Sequence, residues 1–115
     1  LMLDGGQWNE RRTVSTDFIQ SSLKKRFDIS AEDPWAHGYG YMWYLADLEQ
    51  PTDSGSKQGR IRKLACYYAS GNGGNKIFVV PELDLVVVTL SSAYGQGYGH
   101  TRSHNILSKV IEAAL

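Results

Sequence analysis

Apolar and polar positions change period along this chain, and the changes mark its elements. Ile61, Leu64, Cys66 and Tyr68 come close to alternation and predict a strand over residues 60–69. Two more short runs follow, at 76–80 and 85–90, joined through Pro81-Glu82-Leu83-Asp84. Leu85-Val86-Val87-Val88 is apolar on both faces, which predicts a central strand covered on two sides. Farther on, Ile106, Leu107, Val110, Ile111 and Ala114 recur at helical spacing, so a final helix capped by Ser103 is expected. The glycine-rich stretch 91–102 before it reads as a loop.

The first half of the chain is patterned more weakly. Residues 1–6 look like the last turn of a helix with a glycine stop, as if continuing an earlier element, and 7–14 like a turn or small hairpin. Ser15 is a good N-cap and Asp17 suits a first turn, giving a short amphipathic helix over 16–25. Residues 28–37 read as a loop, the aromatic run 38–45 (GYGYMWYL) as a strand, and 46–59 as an exposed loop. The sum is one α+β domain over residues 1–115. It has an antiparallel sheet of three or four strands with the C-terminal helix packed on it.

Composition narrows the function classes. Twelve acidic side chains balance twelve Lys and Arg, so no basic face points to nucleic acid. The longest apolar run, 85–88, is far too short to span a bilayer, and no membrane partner is expected. The given residues do not open with a charged segment and apolar run, so no signal peptide is expected within them. A single cysteine, Cys66, excludes an internal disulfide. Compartment stays open.

Candidate chemistry begins with S-x-x-K, present twice as Ser21/Lys24 and Ser22/Lys25. In a serine acyl enzyme the lysine one turn on must be desolvated to act as a base. Here the pairs fall in the last turn of a short, exposed, cation-rich helix, and the solvated-face reading is preferred. His100 and His104 are four apart, but His100 is expected in the loop and no third ligand joins them. His37 reads as a packed loop residue. Tyr39, Tyr41, Trp43 and Tyr44 read as strand residues that pack a core and an edge.

The densest signal is Gly71-Asn72-Gly73-Gly74 at a strand end. Three glycines in four residues permit positive φ or close approach of backbone to a ligand. Lys76 stands where a dinucleotide fingerprint needs glycine, and a strand follows where it needs a helix. The turn also lacks the phosphate-loop pattern, so no cofactor is expected. What remains is a strand end whose amides, those of Gly73 and Gly74 above all, can point at a developing oxyanion, set against a plain tight turn.

Taken together, YASGNGGNKIFVVPELDLVVV resembles the third-motif region of the penicillin-recognising serine hydrolases. The most similar branch is the class C β-lactamase-like esterases and amide hydrolases, including the 6-aminohexanoate-dimer hydrolase type. Residues 1–12, the helix start VSTDFI and the aromatic GYGYMW are similar to the flanking parts of that family. The resemblance implies the C-terminal part of the family fold, with the nucleophilic serine, its lysine and a Tyr-x-Asn motif upstream of Leu1. It places the third motif at Gly71-Asn72-Gly73, makes Gly74 N–H the oxyanion donor, and has Asn72 and Tyr68 line the substrate cleft.

Gly71 stands where β-lactamases keep a cation, which implies small ester or amide substrates in place of a penicillin carboxylate. The resemblance also implies that the 85–90 strand normally pairs with a strand absent here. Its open edge is expected to take the missing N-terminal half or a second copy. By itself the chain is expected to be inactive. The alternative is a non-catalytic module that uses the same turn to grip a ligand or partner.

Overall fold

The computed structural model describes residues 1–51 and 61–115, and the expected exposed loop beyond Pro51, together with Arg60, lies outside the described residues. Asn9 and Glu10 both adopt positive φ, 51° and 65°, closing a tight turn between β1 (Gln7–Trp8) and β2 (Arg11–Arg12). Residues 1–6 form turns and no helix. Helix α1 (Thr16–Ser22) starts as its sequence predicts, with Ser15 Oγ accepting the Phe18 N–H at 3.2 Å. It stops three residues short of expectation, because Leu23 already has the C-cap conformation.

The aromatic run does not form one strand. Met42 takes φ 65° and Gly40 N–H donates to the Trp43 carbonyl at 2.8 Å, turning the chain between β3 (Gly38–Tyr39) and β4 (Tyr44–Pro51). β4 therefore occupies residues expected to be loop. Its signal is a short alternation, with Ala46 and Leu48 facing the core and Asp47 and Glu49 at the positions between.

β5 (Ile61–Gly71), β6 (Asn75–Val80), a 3-10 turn at Pro81–Leu83 and β7 (Leu85–Thr89) complete an antiparallel sheet in the order β3-β4-β5-β6-β7. The described sheet has five strands, one more than the upper expectation. Ile61, expected among the inward positions, is exposed, while Leu64, Cys66 and Tyr68 are buried.

Helix α2 (Tyr98–Ala114) packs on one face of this sheet, and Leu107 and Ile111 join Leu64, Cys66, Tyr68, Phe78 and Val80 in a single core. The fold is α+β with its C-terminal helix docked, as expected. The helix begins five residues before Ser103. Gly99 lies inside it because the missing Cβ lets the first turn touch the Gly73 carbonyl; a Cβ there would fall 1.9 Å from that oxygen.

β7 is the sheet edge and not a central strand. Val86 and Val88 are 47% and 57% exposed on the face opposite α2, where they join Ile77. Apolar residues on both faces reported the composition of the strand, not whether either face is covered.

Candidate functional site

The pairing of β5 with β6 builds the site. Ser70 lies opposite Lys76 and Gly71 opposite Asn75, which leaves Asn72, Gly73 and Gly74 to make the turn. Gly73 and Gly74 take φ of 79° and 90°, a region that other residues enter only with strain. Four contacts fix the turn. Asn75 Nδ2 donates to the Asn72 carbonyl at 2.9 Å, Gly95 N–H donates to Asn72 Oδ1 at 2.6 Å, and the Gly74 carbonyl accepts from Thr89 Oγ1 at 3.2 Å and from Ser103 Oγ.

An open cleft of about 400 Å³ lies beside this turn. Tyr44, Ser70, Gly71, Asn72 and Gly73 line one side; Gly95, Gln96, Gly97 and His100 face them. The register explains the opening. β4 pairs with β5 only as far as Tyr44 opposite Tyr68, so residues 69–71 have no partner strand on that side.

Of the residues singled out from sequence, Gly71, Asn72 and Gly73 border the cleft. Gly74 does not. Its N–H donates to the Gly71 carbonyl at 3.3 Å and its backbone is pressed against Gly99, so this amide closes the turn. Of the three amides at 72–74, those of Asn72 and Gly73 have no hydrogen-bond partner among the described residues.

Tyr68 is also not on the cleft. It points to the helix side of β5 and is fully buried, its hydroxyl donating to Asp33 Oδ2 at 3.2 Å. Tyr44, stacked on it with ring centroids 5.0 Å apart, reaches the cleft in its place.

Behind the cleft wall lies a polar group that the sequence reading passed over. Lys76 is only 3% exposed, and its Nζ lies 2.8 Å from Ser70 Oγ and 4.6 Å from the centre of the Tyr68 ring. Burial lowers the lysine pKa, with the Asp33 charge acting in the opposite direction. Burial raises the Tyr68 pKa, and the neighbouring Asp33 carboxylate adds to that rise.

His100 and His104 both lie in α2, contrary to the loop expected around His100. Only His100 reaches the cleft. His104 is buried, stacked on Trp35 at 4.4 Å, and its Nε2 has no hydrogen-bond partner among the described residues. Burial first, then the charges of Lys76 and His100, push its pKa down to about 4 against the pull of Asp33. No group of three metal-ligating side chains occurs among the described residues.

His37 is exposed, 3.9 Å from Asp47, and not packed as expected. Ser21 and Ser22 stand apart from the cleft. Ser22 Oγ donates to the Phe18 carbonyl at 2.7 Å, and Lys25 Nζ reaches Asp28 at 3.1 Å, so neither completes a serine–lysine pair there.

The signal for the buried lysine was available in the hairpin itself: a three-residue turn between Gly71 and Asn75 must set Ser70 opposite Lys76. Asp33 and His104 carried no such signal, because they approach from a loop and a helix distant in sequence. Comparison with protein-family models gives no match, and comparison with curated proteins gives no significant match either.

Proposed function

We propose that this chain forms the third-motif wall of an acyl-transfer site of the β-lactamase-like serine hydrolase kind, acting on a small ester or amide. Two observations support the reading. The sequence around the glycine turn resembles that family, and the turn carries two amides, Asn72 and Gly73, without partners among the described residues. Donors held rigidly at the mouth of a cleft suit an oxyanion, because they need no reorganisation as charge develops. The amide pair is the observation that carries the proposal.

In this reading the oxyanion donor shifts one residue back from Gly74, whose amide is already engaged. The resemblance assigns the nucleophile of that family to residues outside these 115, so the chain supplies positioning and charge stabilisation. Gly71 offers no cation for a substrate carboxylate, which favours neutral esters and amides. The test is titration with a phosphonate monoester, an anion shaped like the tetrahedral intermediate. Amide shifts centred on Asn72 and Gly73 support the reading, and their absence rejects it.

The same reading assigns the open edge of β7 to pairing with a further strand, from a companion segment or a second copy. Its outward face joins an apolar groove that includes Ile77, Val88 and Leu90. Lysine is a common blocker of such edges. V88K is expected to change stability by no more than about 0.5 kcal/mol while shifting the sedimentation profile toward monomer. A wild-type chain that is already monomeric at high concentration contradicts the self-pairing form of this assignment.

A further inference from the structure

We propose that the Ser70 hydroxyl is a third hydrogen-bond donor to the substrate carbonyl oxygen, aimed into the cleft by the buried ammonium of Lys76. The inference rests on the acyl-transfer reading above, and adds to its amide pair a side chain and the group that orients it. Ser70 and Lys76 are cross-strand partners on the β5–β6 hairpin, with Lys76 Nζ donating to Ser70 Oγ at 2.8 Å. Ser70 is partly exposed and lines the cleft, whereas Lys76 is 3% exposed behind it.

The two groups together decide which way the serine proton points. An ammonium offers only donors, so the serine oxygen must be the acceptor in this contact. The hydroxyl proton is then turned away from Nζ, and among the described residues it has no acceptor. It is left unspent at the wall of the cleft. Donation from a charged group also polarises the O–H bond and makes it a stronger donor.

Three further groups face the amine: the Tyr68 ring from β5, Asp33 from the loop before β3, and His104 from α2. Asp33 and the ring face attract the ammonium, while burial opposes it. The lysine charge in turn helps to keep His104 neutral.

Ser70 comes two residues before the first of the partnerless amides, and the three donors border the same cleft. A carbonyl oxygen set among them gains negative charge only as its carbon becomes tetrahedral. Donors aimed there therefore favour the transition state over the bound ester. Lys76 does not border the cleft, so it is a positioning residue that acts through Ser70.

The test is the affinity of the 115-residue chain for ethyl methylphosphonate monoanion, followed at the Asn72 and Gly73 amides. S70A is expected to bind about tenfold more weakly or worse, because a hydrogen bond to a charged group is lost. S70T keeps the hydroxyl and should stay close to wild type. K76M keeps the aliphatic packing but removes the donor that orients Ser70, and should lose affinity by a similar factor. Because the lysine acts through the serine, S70A/K76M should bind no more weakly than S70A alone. Urea midpoints near wild type establish folding, and the double variant leaves no buried ammonium unpartnered if S70A itself folds poorly.

Unchanged affinity in folded S70A or in the double variant overturns the assignment and leaves the amide pair in place. Losses in S70A and K76M that add in the double variant also overturn it. A wild-type chain whose Asn72 and Gly73 amides do not respond at all removes the acyl-transfer reading, and this inference with it.

Discussion

Gly74→Ala is expected to be among the most damaging single changes in this chain, visible as a large drop in urea midpoint. A Cβ at this position would lie 2.1 Å from the Gly99 carbonyl oxygen and 2.3 Å from its carbon. Both atoms are backbone, at the start of α2, and cannot move aside as a flexible side chain would. Overpacking of this sort costs about 1–3 kcal/mol. The φ of 90° adds backbone strain of about 1–3 kcal/mol for a residue with a Cβ. Together that is roughly 2–6 kcal/mol, a large part of a small domain's stability.

The neighbouring glycines provide the comparison. Gly71 has an ordinary φ, and its added Cβ would meet nothing nearer than 3.5 Å, so Gly71→Ala should be close to neutral. Gly99→Ala has no positive φ but meets the Gly73 carbonyl at 1.9 Å, and should resemble Gly74→Ala. Equal midpoints for Gly71→Ala and Gly74→Ala would contradict the close packing of turn on helix.

Acid should unfold the protein earlier than its carboxylates alone require. His104 is folded as a neutral ring among Trp35, Tyr68 and Phe78, with its pKa held near 4 where the ordinary value is 6.5. Between those values the unfolded chain binds a proton that the folded chain refuses. Stability from this group is therefore complete above the unfolded value and is lost as pH falls toward the folded one. At 1.36 kcal/mol per unit the loss is on the order of 3 kcal/mol. Urea melts from pH 7 to pH 4 measure it, and H104F should flatten that slope. A slope unchanged in H104F would mean that the ring is not held neutral by its surroundings.

Much of the architecture was legible in sequence wherever one physical signal acted alone. The alternation at Leu64, Cys66 and Tyr68 and the spacing of Leu107 and Ile111 identified β5, α2 and the face each buries. Ser15 announced α1 through its cap. Errors arose where two signals competed. The glycines before Ser103 read as a loop, but Gly99 is there for close packing inside a helix. The run from Gly38 was too aromatic to betray the turn at Met42.

The candidate site was legible in part for a similar reason. Glycine density located the turn, but which amide is engaged depends on the bond from Gly74 to Gly71, and that on the register. The resemblance placed Tyr68 on the cleft. It shares the strand face of Ser70, which does line the cleft, but the rings of Tyr44, Phe78 and His104 cover it and its hydroxyl turns to Asp33. The link between Ser70 and Lys76 required the hairpin register as well as composition.

The most direct measurement is an amide-resolved NMR titration of the labelled chain with ethyl methylphosphonate monoanion. The largest downfield shifts should fall at Asn72 and Gly73, whose amides have no partner among the described residues. Smaller changes should appear at Tyr44 beside the turn and at His100 across the cleft, with Ile77 and Val86 on the opposite face unmoved. The neutral diester should leave all of them in place. Shifts centred away from the turn, or equal shifts with the diester, would contradict an oxyanion-binding wall.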